Sequence, residues 1–327
     1  MALRAHTRNS NTTAELAAAY EHCRRIHAAH GRTYYLATRL LPHDRRPHVW
    51  ALYAFARVAD DLVDAPGSPG PETLLTWREQ AMTAMRSTSR PDPAEQPVLA
   101  ATWYTMRAFG LEPDLLQEFL DSMVMDLTVS RYATWEELRG YMRGSAAVIG
   151  ELMAPLLGAS GPEARSRAAA LGEAFQLTNF IRDIGEDLTR GRIYLPQADL
   201  ARFGVSEALL AGAVRTGVPP GPVRSLVAFE VRRAVDLYAA ARPGLRMVDA
   251  RSQPCLDVAF TLYRRILHRV IANDFNVFEG RLVVPTWQRM ATAGHVALRT
   301  ASANVTSIID RGAVVSSRRS TPRPHSS

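Results

Sequence analysis

The chain has 327 residues, 47% of them hydrophobic, enough to bury one large core or two modest ones and too apolar for wholesale disorder. All 39 basic residues are arginine, set against 32 Asp and Glu for a formal net charge of +7; without lysine, a Schiff base, pyridoxal chemistry, a lysine base and a P-loop are excluded, because each needs an ε-amine. Two cysteines, Cys23 and Cys255, are too few for a disulfide framework or a structural zinc, and no uncharged run exceeds 11 residues, which leaves neither a span of roughly 20 apolar residues nor a signal peptide to expect.

A cytoplasmic protein fits that pattern. The pI near 9.8 leaves nucleic acid, an anionic membrane surface and an anionic substrate all open as partners.

Ala-, Leu- and Arg-rich segments broken by short Pro/Gly groups predict an all-α fold, with helices over 13–30, 47–64, 71–87, 95–109, 113–128, 134–157, 162–189, 206–213, 221–241, 250–273 and 285–308. No repeat and no long linker divides the chain, so one domain is expected at 13–311, between flexible tails at 1–12 and 312–327. The second tail is basic, with Arg318, Arg319 and Arg323.

In the helix expected over 47–64, Tyr53, Arg57, Asp60 and Asp64 follow i, i+4, i+7, i+11. At 100° per residue they form one narrow stripe, with Asp61 beside it and Leu52, Phe55, Ala56, Ala59 and Val63 left to pack. Gln176, Asn179, Asp183 and Asp187 repeat the logic in the helix over 162–189, opposite an apolar side of Leu177, Phe180, Ile181 and Ile184. Asp121 and Asp126 are five apart, off a common helical face, and are read as structural.

A solvated face with i, i+4 charge pairs is the bland account of such stripes. Asp is a mediocre helix former, however, and like charges at i, i+4 cost up to about half a kcal/mol each. Something must neutralise them. With no histidine nearby to complete a zinc site, oxygen ligands on two buried helices suit a hard divalent ion, and the residues point to Mg²⁺ bridging a diphosphate.

The segments Asp60-Asp61-Leu-Val-Asp64 and Asn179-Phe-Ile-Arg182-Asp183-Ile-Gly-Glu-Asp187-Leu-Thr-Arg-Gly191-Arg192-Ile-Tyr194-Leu-Pro196 resemble the two signatures of the squalene/phytoene synthase family. The resemblance runs from His30-Gly-Arg-Thr33 through Tyr141-Met-Arg-Gly-Ser-Ala-Ala-Val-Ile-Gly150 to Tyr263 and Arg281. It implies an isoprenoid-synthase-type helical bundle around a central cavity. It also implies a Mg²⁺-dependent prenyltransferase, with Mn²⁺ as an alternative ion, that joins two prenyl diphosphates head to head.

The motif wording favours two geranylgeranyl diphosphates, giving phytoene by way of prephytoene diphosphate in carotenoid biosynthesis; squalene, dehydrosqualene or presqualene diphosphate formation from farnesyl diphosphate is the alternative. By position, Asp60, Asp61, Asp64, Asn179, Asp183 and Asp187 would hold metal, while Tyr53, Arg57, Gln176, Asn179, Arg182, Tyr263, Arg281 and His30 would contact diphosphate. Tyr141 would stand near the carbocation, and Ala146, Ile149 and Gly150 would line a prenyl-tail channel, although a Gly/Ala run also suits close helix packing. NADPH is not expected.

Prenyl diphosphates, a peripheral membrane contact and downstream carotenoid-pathway enzymes are the partners the resemblance implies, and nucleic acid is not among them because the arginines are scattered and no reader motif occurs. A non-catalytic scaffold relative is the competing class, and such a protein is expected to lose its Asp clusters.

Overall fold

The computed structural model describes residues 2–64, 71–280, 282, 284–285, 288–294 and 296, except for the side chains of 2–12 and 64. In chain order the helices are α1 (Ala2–His30), α2 (Arg32–Thr38), α3 (Arg46–Asp64), α4 (Pro71–Arg86), α5 (Pro97–Ala108), α6 (Pro113–Met125), α7 (Trp135–Met142), α8 (Val148–Leu156), α9 (Pro162–Arg182), α10 (Ile184–Thr189), α11 (Gln197–Arg202), α12 (Glu207–Thr216), α13 (Gly221–Ala241) and α14 (Gln253–Ala272).

Local chemistry explains six of these starts. Proline, whose missing N–H costs nothing in a first turn, opens α4, α5, α6 and α9. Thr134 caps α7 by accepting from the Glu137 N–H, while the Glu137 carboxylate accepts from the Ala133 N–H at 2.7 Å. Ser206 caps α12 in the same way, and Gly217 at φ 71° closes it in the left-handed conformation that favours glycine.

Among the described residues there is no strand; one isolated bridge joins Arg131 to Ile193. The all-α expectation holds, with four differences. The first helix starts at Ala2 and not at 13, and short helices α2 and α11 stand where none was expected. The helix expected over 134–157 is interrupted by a π-turn at Arg143–Ala147, and the one over 162–189 breaks at Asp183, whose φ of −101° and ψ of 13° end α9 and begin α10. Both interruptions fall beside functional candidates, where π-turns and breaks concentrate. Of the helix expected over 285–308, the described residues 288–294 and 296 are helical. The tail at 312–327 and the Pro/Gly break at 66–70 lie outside the described residues.

α9 is the central strut, packed along α8 and α13 and against α14, while α1, α3 and α5 pack together beside it. The predicted apolar sides are largely buried: Leu52, Phe55 and Ala59 on α3, and Leu177, Phe180 and Ile181 on α9 with Ile184 just beyond the break, are each at most 6% exposed, whereas Ala56 and Val63 on α3 are only half-buried, Ala56 on the cavity wall.

Two glycines set how closely α8, the π-turn and α9 approach. A Cβ on Gly150 would lie 2.1 Å from the Ala168 carbonyl oxygen, and one on Gly172 would lie 2.3 Å from that of Ala146. The Gly/Ala run therefore does serve close packing, and Gly150 also reaches the cavity wall.

Candidate active site

A cavity of about 1140 Å³ runs between α2, α3, α8, α9 and α14. His30, Tyr53, Arg57, Asp60, Asp61, Tyr141, Ala146, Ile149, Gly150, Gln176, Asn179, Arg182, Asp183, Asp187 and Tyr263 all line it. Residues that the sequence places on separate segments thus share one wall. The side chain of Asp64 and the whole of Arg281 lie outside the described residues; helix α3 carries the Asp64 backbone as its last residue.

One end is polar and is built by two helix ends. On α3, the Arg57 guanidinium bonds to both carboxylates one turn along, Asp60 at 3.3 Å and Asp61; these carboxylates are half-exposed at the rim, and His30 stands exposed nearby. Where α9 gives way to α10, Arg182 clasps Asp183 with Nε at 2.8 Å from Oδ1, both side chains 13% exposed. The Asp187 N–H donates to the Asp183 carbonyl at 2.8 Å, so the chain stays helical enough across the break for both carboxylates to keep one side.

Burial, reinforced by the neighbouring Asp183 charge and opposed by Arg190, lifts the Asp187 carboxyl from 3.8 to about 7. Burial likewise lifts the Tyr53 phenol to about 12, against the pull of Arg57, so it stays a hydrogen-bond donor.

Whether this end fits a divalent ion is decided by its donors. They are all oxygens, from Asp60, Asp61, Asp183, Asp187 and Asn179, the set a hard cation takes. The buried Asn179 Oδ1 has no hydrogen-bond partner within the protein, and Asp187 is a carboxylate whose ionisation lacks sufficient compensation. Among the described residues no three acidic, imidazole or thiol side chains close on one point. The donor set therefore suits an ion that brings diphosphate oxygens with it, not one held by a closed protein cage.

Deeper in, aromatic rings take over. Tyr34, Phe175 and Tyr263 form one group, Phe175 and Tyr263 with centroids 4.3 Å apart. Tyr132, Tyr141, Phe180 and Tyr194 form another, Phe180 and Tyr194 stacked at 4.1 Å. Tyr141 is 2% exposed; its hydroxyl donates to Asp126 Oδ2 at 2.6 Å, and the Tyr194 hydroxyl donates to Oδ1 of the same carboxylate at 3.2 Å. Burial, with Asp126 adding to it, holds the Tyr141 phenol far above its ordinary value.

Asp126, read from sequence as structural, is thus corrected: it lines the cavity and is the shared acceptor of two buried phenols. Asp121 does take structural partners, Arg78 and Gln117. Tyr194 and Tyr132 come together because residues 130–133 and 193–198 run side by side, with Ile193 N–H to the Ser130 carbonyl at 3.0 Å and Gln197 N–H to that of Tyr132 at 2.9 Å. That pairing has no local sequence signal.

His27 was also missed. It is 0% exposed on the cavity wall, stacked on Tyr53 at 4.0 Å, and neither ring nitrogen has a hydrogen-bond partner. Burial depresses it to about 3, so the ring is neutral. Arg289 also lines the cavity, from the helical segment after α14.

The family model for squalene/phytoene synthase matches residues 27–288. The chain is 33% identical over 306 residues to the 15-cis-phytoene synthase of Synechococcus elongatus, covering 89% of this chain and 96% of that protein. It is 36% identical over 295 residues to the phytoene synthase of Arthrospira platensis, covering 85% and 92%. Among solved structures, a dehydrosqualene synthase in complex with ligand superposes with a TM-score of 0.79 at 26% identity, covering 88% of this chain and 98% of that one. A squalene synthase from Alicyclobacillus acidocaldarius superposes with a TM-score of 0.70 at 29% identity, covering 80% and 97%. Among the described residues no helix is long and apolar enough to cross a membrane.

Proposed function

Because the chain belongs to the squalene/phytoene synthase family, we propose that it is a prenyltransferase that joins two geranylgeranyl diphosphates head to head into phytoene, by way of prephytoene diphosphate and with loss of diphosphate. The observation that carries this reading is the cavity itself, with carboxylates and guanidiniums at one end and a long aromatic and aliphatic body behind them.

Asp60, Asp61, Asp64, Asn179, Asp183 and Asp187 would hold Mg²⁺, which supplies Lewis-acid stabilisation to a departing diphosphate. Arg57 and Arg182 offer guanidinium donors to its oxygens, and the Tyr53 phenol adds a third donor. With no lysine in the chain, arginine must provide the cationic side of that grip. The rings of Tyr34, Phe175 and Tyr263, and those of Tyr141, Phe180 and Tyr194, line the cavity, where they present negative π-faces to an allylic cation and exclude the water that would quench it. The hydroxyl of Tyr141, held on Asp126, is fixed in orientation and is kept as a neutral phenol.

The same cavity would serve farnesyl diphosphate, and two structural relatives are named for squalene-type products; that is the second reading. Incubation with geranylgeranyl or farnesyl diphosphate and Mg²⁺, with and without NADPH, decides between them by product mass. A C40 hydrocarbon from geranylgeranyl diphosphate without NADPH is the expected product, and hydrocarbon from farnesyl diphosphate alone overturns the choice of substrate.

A greasy substrate and product also call for a peripheral membrane contact, to which Arg318, Arg319 and Arg323 would add electrostatic attraction; truncation after 311 with a vesicle-binding assay tests that. Downstream carotenoid-pathway enzymes belong to the same proposal.

A further inference from the structure

Helix α9 lies along the cavity like a graduated scale. Asp183, Asn179, Phe175, Leu171, Ala168 and Ala164 all line it, on one continuous helical face. From Asp183 at the polar end to Ala164 is 19 residues, about 28 Å at 1.5 Å of rise per residue.

The far end is walled by small side chains. Ala154, Ala159, Ala164 and Val248 form an apolar cluster separate from the main core, and all four face the cavity. Leu157 and Leu256 pack against both clusters and also line the cavity. The Arg167 guanidinium at this level is taken by Glu163 and by the Ala240 carbonyl.

An extended prenyl tail advances roughly 1.25 Å for each carbon–carbon bond of about 1.5 Å. One isoprene unit therefore adds about 5 Å, close to a single helical turn of about 5.4 Å. A C20 tail spans roughly 19 Å and a C15 tail roughly 14 Å. The diphosphate head beside Arg182 and Asp183 takes up about the length of one isoprene unit, ~5 Å, so the longer tail ends about 24 Å along α9 from Asp183, in the Ala168–Ala164 turn, and the shorter one ends about 19 Å along it, a turn nearer the head.

We propose that Ala164 and Ala168 are the length-determining residues of this site: their small side chains admit the fourth isoprene unit of the substrate. This rests on the reading of the cavity as a prenyl diphosphate site and adds which residues select among chain lengths. The scale is rigid at this level because the Ala168 carbonyl sits where a Gly150 Cβ would be, so α9 is held against α8. A larger side chain at 164 or 168 fills the channel.

The test is calorimetric binding, with Mg²⁺, of the thiolodiphosphate analogues of farnesyl and geranylgeranyl diphosphate to the full chain and to Ala164→Leu, Ala168→Leu and Ser166→Leu. Ser166 is exposed on the same helix and serves as control. The two alanine variants are expected to weaken C20 binding relative to C15 by about 10-fold or more, the scale of discrimination a filled apolar pocket gives. Ser166→Leu leaves the ratio unchanged. Retained C15 binding shows that each variant is folded.

A C20-to-C15 ratio unchanged in both alanine variants, or equal weakening of both lengths with the fold intact by circular dichroism, overturns the assignment. Should the wild-type chain bind neither analogue, it is the prenyl substrate itself that is refuted, a result distinct from an unchanged ratio.

Discussion

Replacing Asp187 by Asn is expected to make the metal-free protein more stable. Burial and the adjacent Asp183 hold its carboxyl at about 7 instead of 3.8, and at 1.36 kcal/mol per tenfold in proton affinity this gap corresponds to about 4 kcal/mol against the charged form. In the native state the group binds a proton that the unfolded chain gives up, so native stability falls as pH rises from about 4 to about 7 and stays at the lower level above that. Asn carries no charge and escapes the loss. Relaxation and water entry reduce the figure, so Asp187→Asn should gain on the order of 2–4 kcal/mol at pH 8, a melting temperature higher by roughly 3–6 °C.

Near pH 4 the two proteins should melt together. Differential scanning calorimetry of both, without divalent ions, at half-unit steps from pH 4 to 9 is the measurement. A variant that melts at or below the wild type at pH 8, or a gap that does not widen between pH 4 and 7, refutes the argument from burial. Mg²⁺ with inorganic diphosphate should then raise the wild-type melting temperature and leave the variant's unmoved.

Asp60→Asn and Asp183→Asn should each abolish turnover of prenyl diphosphate while leaving the helical circular dichroism intact; unchanged product formation in both would remove these carboxylates from the mechanism. Gly150→Ala and Gly172→Ala should each cost about 1–3 kcal/mol by overpacking against a carbonyl, read as a lower urea midpoint, whereas Gly140→Ala, whose Cβ would meet nothing within 4 Å, should be neutral or stabilising. Tyr141→Phe and Asp126→Asn should show a coupling of about 1 kcal/mol or more in a double-mutant cycle of denaturant stability, because they share the 2.6 Å bond. Strict additivity would contradict that bond.

The Asp60 and Asp183 segments were legible because helix periodicity is a local property. Spacings of three and four residues fix a common face wherever the chain is helical, and the burial of Phe55, Leu177 and Ile181 follows from the same arithmetic. The break at Asp183 was not legible: nothing in Arg182-Asp183-Ile184 forbids helix, and the interruption is a choice of the packed structure. The π-turn after Tyr141 is of the same kind. Asp126 was misread for a related reason, since its partners Tyr141 and Tyr194 are 15 and 68 residues away.

The sequence by itself determined an all-α chain with two acid-bearing helix faces, an arginine-only supply of cations and the family signatures that go with them. These follow from residue type and from a period of about 3.6 residues, and neither depends on what the helices meet. The tertiary structure alone decided that the two faces open on one cavity, that segments 130–133 and 193–198 pair to set Tyr132 and Tyr194 beside Tyr141, and that α9 carries that cavity to Ala164. Each of these is a contact between residues far apart in the chain, where packing, which no local pattern records, selects one arrangement among many.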